Sequence, residues 1–233
     1  MNILDQKTAR NVSMALHKGD IDALKSMLES EPELAQSGIQ SKGPQGEEVR
    51  SLLHVATDYP GHFPRCEEAI ALLIDRGADP NARFVGPHTE TPLHWAVSCD
   101  DVNATDALLE AGADLEADGG VLTGGSPMDD AVIFAQWNAA RRLLDKGAEL
   151  TLWHAGALGI LDQVKTKLET EQQTPDDVTA ALWHSCRGGQ LETAQALVAA
   201  GANIHWVGFD NKTPLDCAEE SGNQDLVRWL SSL

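Results

Sequence analysis

Basic residues are scarce in this sequence. Its 233 residues include 17 lysines and arginines against 36 aspartates and glutamates, which gives a formal net charge of −19. Proteins that bind nucleic acid neutralise phosphates with lysine and arginine, and proteins that dock on anionic membranes use basic clusters. The composition therefore argues against nucleic acid and membranes as partners, and we expect neither.

Cysteine is also sparse, and the cysteines are not paired in sequence. Cys66, Cys99, Cys186 and Cys217 form no C-x-x-C motif, and His184 stands two residues from Cys186, a spacing that points to different faces of a helix. Phosphate-binding glycine motifs are missing as well. A chain of this length needs no disulfides to fold. We expect reduced thiols, no metal and no cofactor.

Long apolar runs are missing. No stretch approaches 18 consecutive apolar residues, and the first residues, "MNILDQKTARN", become polar within five positions. We expect neither a membrane span nor a secretory signal, and we predict a cytoplasmic location.

The sequence does contain an internal repeat. The segment "TPLHWAV" at 91–97 returns as "SPMDDAV" at 126–132 and "TPLDCAE" at 213–219, with a looser copy, "SLLHVAT", at 51–57. A second element follows each, as in "AIALLIDRGADPNAR" at 69–83 and "TDALLEAGADLEAD" at 105–118. Threonine or serine before proline caps a helix start, and glycine after paired leucines ends a helix. These signals predict repeated helix pairs.

The repeat resembles the ankyrin family, in its T-P-L-H-x-A helix start, its L-L-x-x-G-A-D helix end and its period near 33 residues. The resemblance implies an all-α solenoid of stacked helix pairs joined by short extended loops, called fingers. It implies one domain over 1–233, with a cap at 1–40, repeats near 49–84, 85–119, 120–149, 150–173 and 174–204, and a carboxyl-terminal cap at 205–233.

Two departures from the repeat are visible. Taking the residue after the helix-start leucine as a marker gives the series His54, His94, Asp129, Trp153, Trp183 and Asp216. The step from Asp129 to Trp153 is 24 residues, about nine fewer than the period of the repeat, which is close to the length of a finger. The segment "TPDDVTAALWH" then follows the fifth unit directly. We predict missing or shortened fingers before the fifth and sixth units. The segment "DYPGHFPRCEE" at 58–68 predicts an inserted surface loop, and "GPQGEE" at 43–48 a solvated one.

One position further along, the repeats supply a row of side chains on the inner helices. The row reads Val55, Trp95, Asp130, His154, His184 and Cys217. Arg187 lies one turn beyond His184. Apolar walls with a few convergent polar groups are typical of a binding site. The candidate binding residues are Trp95, Asp130, Trp153, His154, Trp183, His184, Arg187 and Trp206.

Other interpretations stay open for these residues. Trp153 and Trp183 also suit the covering of a helix surface from which a finger is missing. A single inner-helix histidine is commonly a hydrogen-bonded interior residue, and Asp130 also suits the positive end of a helix. Cys186 paired with His154 is a weaker nucleophile candidate, since cysteines without a family signature are commonly core residues.

The resemblance implies a non-catalytic scaffold that recognises a protein partner through its concave inner-helix face. The alternative is a protein that binds or transforms a small molecule on that face. Such an enzyme would use Asp130, His154 and His184 for acid–base chemistry, such as hydrolysis, elimination or isomerisation.

Overall fold

The computed structural model describes residues 2–233. Within that range it contains fourteen α-helices and two β-strands. The helices are α1 (Gln6–Lys18), α2 (Ile21–Ser30), α3 (Leu52–Ala56), α4 (Cys66–Asp75), α5 (Pro92–Ser98), α6 (Val102–Glu110), α7 (Pro127–Ile133), α8 (Trp137–Asp145), α9 (Leu152–Leu158), α10 (Leu161–Thr170), α11 (Pro175–Arg187), α12 (Leu191–Ala199), α13 (Pro214–Ser221) and α14 (Gln224–Leu230). The strands are β1 (Gly38–Gly43) and β2 (Gly46–Ser51). The predicted all-α fold class is confirmed.

The helix starts follow the capping chemistry of the sequence. Helices α5, α7, α11 and α13 begin with proline directly after a threonine or serine in extended conformation. Proline suits the first helical position because the N–H that it lacks would have no helical partner there. After α4, α6, α8 and α12 a glycine adopts φ between 88° and 97°, which side chains resist. The predicted helix boundaries at these glycines are confirmed.

The chain divides into two compact units, the first ending at Ala148 and the second running from Glu149 to Leu233. The single continuous domain and its repeat boundaries stay predictions. In the first unit, helices α3, α5 and α7 lie in sequence as inner helices and α4, α6 and α8 pack beside them. Fully buried side chains from both layers form its core, and they include Leu53, Ile70, Leu93, Leu108, Met128 and Leu143. Each contributes roughly 2 kcal/mol through burial.

A β-hairpin precedes the first of these helix pairs. Strands β1 and β2 are antiparallel, with Gly38 opposite Ser51 and Gly43 opposite Gly46. Val49 of β2 also exchanges two backbone hydrogen bonds with Val85 of the next finger, at 2.8 and 2.9 Å. The predicted solvated loop at 43–48 is therefore the tip of a hairpin, and the sequence did not predict its strands.

The second unit holds α9 to α14. Its core includes Leu152, Leu182, Trp183, Leu197 and Leu226. Helices α9 and α11 approach each other closely at two glycines. A Cβ atom on Gly156 would lie 3.0 Å from the Ala181 carbonyl oxygen, and one on Gly188 only 2.0 Å from that of Ala157. The backbones touch because neither glycine has a side chain.

The connections that lead into successive inner helices differ in length. Sixteen residues separate α4 from α5 and α6 from α7, and fourteen separate α12 from α13. Only six residues separate α8 from α9, and four separate α10 from α11. The prediction of shortened fingers before the fifth and sixth units is confirmed. The inserted loop between α3 and α4 is confirmed as well, over 57–65.

Among residues 2–233, no helix combines the length and the apolar character that crossing a membrane demands.

Candidate functional site

Histidines at the starts of the inner helices join neighbouring repeats in the first unit. His54 Nδ1 accepts a hydrogen bond from the backbone N–H of Ser51, so its Nε2–H donates to the Glu90 carbonyl at 3.1 Å. His94 does the same one repeat later, with Nε2 3.1 Å from the Gly125 oxygen. Burial lowers the pKa of His54 to about 4 and also lowers that of His94. Both imidazoles are therefore neutral at pH 7.

In the second unit, the structure corrects the marker series by one residue. Thr151 caps α9, and His154, three residues later, closes its capping box, as His94 does in α5. His154, and not Trp153, therefore holds the histidine position. The reason is that Leu152 occupies the first helical position of α9, where α5 has Pro92, so the residue after this leucine stands one position before the histidine position. Alignment on the leucines alone therefore places the marker one residue too early.

The marker assigned to Trp183 is also wrong as a helix start. Helix α11 has 13 residues and begins at Pro175, with Thr174 as its cap. Asp177 occupies the third helical position, where its carboxylate accepts a hydrogen bond from the Thr174 N–H at 2.9 Å. Trp183 lies in the second half of the helix, because α11 starts almost two turns earlier than the other inner helices.

The centre of polar contacts in the first unit is Glu90, which sequence reasoning missed. The residue is 5% exposed. Its carboxylate accepts hydrogen bonds from Trp95 Nε1 at 2.9 Å and from the Val121 N–H at 3.1 Å, and His88 Nδ1 lies 2.9 Å from Oε2. Two donors, the Trp95 indole and the Val121 amide, therefore hold this buried carboxylate in place. In the sequence, the only signal is its position before the Thr-Pro helix start.

Aromatic rings surround this carboxylate. The Trp95 ring meets His54 edge-on, with 4.9 Å between centroids, and Phe84 stacks on His88 at 4.4 Å. Phe84 also lies 5.5 Å from Trp95. These contacts exclude water from Glu90 and hold its hydrogen-bond donors in place.

Asp130, predicted as a site residue, joins Glu90 from the next inner helix. Its side chain is 0% exposed. Burial, and after it the adjacent carboxyl of Glu90, raise the pKa of Asp130 far above its usual range. Asp130 therefore keeps its proton at neutral pH.

The second unit contains a continuous set of contacting rings. Trp153 lies 4.6 Å from His184 and 4.0 Å from His154, measured between ring centroids. The ring centroids of His184 and Phe209 are 5.7 Å apart, and those of Phe209 and Trp206 are also 5.7 Å apart. We call Trp153, His184, Trp206 and Phe209 the aromatic patch.

Exposure differs widely within and around the aromatic patch. Phe209 is 55% exposed, Trp153 and Trp206 are half-buried, and His184 is 5% exposed. Trp183 lies beneath, fully buried, and donates from Nε1 to the Lys212 carbonyl at 3.0 Å. The aromatic patch is thus a partly exposed surface that lies over the buried Trp183 side chain.

Arg187 borders this surface from the end of α11. Its guanidinium carbon is 5.6 Å from the centre of the Trp183 ring, a distance at which cation and ring attract each other.

The structure thus gathers the predicted residues into two groups, each within one unit. Trp95 and Asp130 meet at Glu90, while Trp153, His154, Trp183, His184, Arg187 and Trp206 meet in and around the aromatic patch. Among residues 2–233, no cluster of three or more histidine, cysteine, aspartate or glutamate side chains is placed to hold a metal. Burial raises the pKa of the Cys186 thiol well above its usual value, so it is protonated and a poor nucleophile.

Comparison with known proteins identifies the repeats. A family model described as "Ankyrin repeats (3 copies)" matches residues 152–233, and a model of the single ankyrin repeat matches 50–83 and 88–119. The crystal structure of the human ASB11 ankyrin repeat domain is similar with a TM-score of 0.54 and 22% identity, covering 94% of this chain and 96% of that one. This likeness concerns the fold.

Two curated proteins share part of the sequence. An ankyrin repeat and KH domain-containing protein from Caenorhabditis briggsae is 29% identical over 181 residues, which are 73% of this chain. The human palmitoyltransferase ZDHHC13 is 49% identical over 45 residues, 19% of this chain. The matched region spans 7% of the length of each relative. The family models together cover well over half of the chain, and the chain belongs to the ankyrin repeat family.

Proposed function

We propose that this ankyrin repeat protein binds a partner protein through the inner-helix side of its repeats, and that the aromatic patch is the anchor of the contact. The observation that supports the proposal most strongly is that rings of the patch are exposed to solvent and are also held in place by neighbouring rings. Phe209 is 55% exposed, yet it packs edge-on against Trp183 and Trp206, at 5.3 and 5.7 Å.

Rings held in this way suit binding for an energetic reason. Tryptophan and arginine are enriched among the residues that dominate interface energy. Association costs roughly 0.5–1.5 kcal/mol for each flexible side chain that it immobilises. The rings of the aromatic patch are already ordered by their neighbours, so they lose little freedom when a partner covers them.

The charge of the chain supports a basic partner. Residues 149–233 carry 12 acidic and 5 basic side chains, a net charge of −7 within the chain's −19. Such a field attracts a positively charged surface and raises its association rate, an effect that salt weakens. We expect the partner to place an apolar or aromatic segment on the patch and basic residues around it.

The alternative, acid–base chemistry by Asp130, His154 and His184, is less well supported. A catalytic group must reach its substrate, directly or through one water. The three side chains are 0, 1 and 5% exposed. Protein binding by the half-exposed rings above them is therefore the better-supported function.

Selection from a phage-displayed random peptide library against the whole chain tests the proposal. Selected peptides should bind the wild type and lose at least tenfold in affinity against Phe209→Ala or Trp206→Ala, as measured by calorimetry. Val85→Ala is the matched control, because Val85 is also an apolar finger residue and is also 55% exposed. Peptides that bind Phe209→Ala, Trp206→Ala and wild type equally would place the contact elsewhere, and recovery of no peptide would contradict protein binding by this surface.

A further inference from the structure

One finger of each unit carries the same short motif. In the first unit, residues 84–92 read "FVGPHTETP", and in the second unit, residues 206–214 read "WVGFDNKTP". Both segments begin with an aromatic residue, valine and glycine, and both reach the Thr-Pro helix start after the same number of residues. We call residues 84–86 the first VG motif and residues 206–208 the second VG motif.

The two VG motifs share a local geometry. In each, the glycine lies against the ring of the residue two positions before it. A Cβ atom on Gly86 would be 2.4 Å from the Phe84 ring, and one on Gly208 would be 2.3 Å from the Trp206 ring, so a side chain at either glycine would collide with the ring. The valine between ring and glycine is exposed in both fingers, by 55% in the first and 59% in the second.

The first VG motif is paired with a strand of the same unit. The Val85 N–H donates to the Val49 carbonyl at 2.9 Å, and the Val49 N–H donates to the Val85 carbonyl at 2.8 Å. The bridge is antiparallel, and Val49 belongs to β2 of the hairpin. Glu48 of the same strand lies beside Gly86, whose Cβ position is 3.3 Å from Glu48 Cγ. Next to this strand, Phe84 is only 4% exposed.

The second VG motif has no such strand. Among residues 2–233, neither the N–H nor the carbonyl of Val207 has a hydrogen-bond partner, and Trp206 is only half-buried. The strand is missing because the connection that would supply it, between α10 and α11, has only four residues. The first turns of α11 meet the finger at its base, where the Asn203 N–H donates to Thr179 at 3.1 Å, and they leave Val207 exposed.

We propose that the second VG motif is a strand-addition site, at which an extended segment of the partner protein pairs with Val207 in antiparallel orientation, as β2 pairs with Val85. This inference rests on the proposed function and specifies how the partner meets the aromatic patch. Unpaired N–H and C=O groups are a template for a strand of another chain. Main-chain hydrogen bonds then supply affinity, and side chains at alternate positions supply specificity.

The residues next to Val207 define the chemistry of the partner segment. Trp206 and Phe209 of the aromatic patch flank the motif, and Asp210, which follows Phe209, is exposed and adds a negative charge. Since alternate side chains of a strand point to the same face, every second residue of the segment should be apolar or aromatic and should lie on the rings. Basic residues between or beside them suit the negative charge of this unit.

Amide hydrogen exchange of the whole chain, followed by ¹⁵N NMR, tests the site with the peptide of highest affinity from the phage selection. In the free protein, the Val85 amide should be protected, because it is bonded to Val49, and the Val207 amide should exchange near its intrinsic rate. Saturation with the peptide should slow exchange of the Val207 amide at least tenfold and leave that of Val85 unchanged. Val85 is thus the matched control within the same molecule.

A scan of the same peptide by single N-methylation tests the pairing from the other side. Methylation removes one N–H donor and keeps the side chain. Because adjacent residues of a strand direct their N–H groups to opposite edges, the affinity measured by calorimetry should fall at least tenfold at the paired position and change little at the residues directly before and after it.

The outcomes separate this inference from the proposed function. Peptides that need Phe209 but leave the Val207 amide unprotected, and that tolerate methylation at every position, would support binding by the aromatic patch and overturn strand addition. Recovery of no peptide would contradict the proposed function and this inference with it. Protection of the Val207 amide in the free protein that increases with protein concentration would assign the site to a second copy of the chain, and would also overturn the proposal.

Discussion

The buried carboxyl pair makes folding depend on pH, and Asp130→Asn isolates that dependence. In the unfolded chain, Asp130 releases its proton near pH 4. In the folded chain, burial and Glu90 raise its pKa, so the proton stays bound at neutral pH. A raised pKa contributes stability that is complete below the unfolded pKa and is lost as the pH rises toward the folded one. The wild type should therefore become less stable from pH 5 to 7 relative to the variant, which has no proton to bind.

The expected magnitude follows from one proton. Uptake of a single proton on folding changes the free energy of unfolding by about 1.4 kcal/mol per pH unit. Over pH 5 to 7 the difference between wild type and Asp130→Asn should change by about 3 kcal/mol. That is a large fraction of the roughly 5–15 kcal/mol that stabilises a typical domain.

Urea unfolding at pH 5, 6 and 7, followed by far-ultraviolet circular dichroism, measures this difference. His54 has the opposite linkage, because burial lowers its pKa to about 4 and stability is lost as the pH falls toward that value. Its contribution is the same in both proteins and cancels. Asp129→Asn, as the control, should follow the wild type. Parallel pH profiles for wild type and Asp130→Asn would refute the assignment of a buried proton to this pair.

Three further substitutions test the packing beneath the aromatic patch. Gly188→Ala should cost about 1–3 kcal/mol and lower the melting temperature, because the new Cβ atom would lie 2.0 Å from the Ala157 oxygen; an unchanged melting temperature would contradict the close approach of α9 and α11. Thr174→Ala should cost about 1 kcal/mol in urea unfolding by removing the cap of α11, and a neutral result would show that the cap contributes nothing. Trp183→Phe should also cost about 1 kcal/mol in urea unfolding, because the hydrogen bond to the Lys212 carbonyl is lost; equal stability would mean that water replaces the indole.

The sequence predicts the helices well because their start and end signals are local. Threonine or serine before proline marks α5 and α13, and glycine after paired leucines marks the ends of α4 and α6. The shortened connections before α9 and α11 follow from counting residues between the repeats.

The site is less predictable, because its contacts come from distant segments. Glu90 directly precedes a helix cap. No pattern in the nearby sequence predicts that Trp95, His88 and Val121 contact its carboxylate. The register of the repeat predicts Asp130 as a site residue, but only its burial in the fold explains why it keeps a proton at neutral pH. The equivalence of His154 to His94 likewise becomes visible only when Thr151 is identified as the cap of α9.

The strands of the hairpin escape prediction for a related reason. The segment at 38–51 has little alternation of apolar and polar residues, and that alternation is the usual signal for a strand. Val49 of this hairpin also bridges to Val85, which lies 36 residues further along the chain.

The histidine bridges of the first unit have a consequence for cooperativity. His54 connects α3 to the carbonyl of Glu90, and His94 connects α5 to the carbonyl of Gly125, so each helix is tied to the segment that leads into the following helix. Loss of one helix pair would leave a buried acceptor unsatisfied in the next, at a cost of about 1–3 kcal/mol. Partial melting of a single repeat is thus penalised at both of its borders, and these helix pairs should unfold as one block instead of fraying one after another.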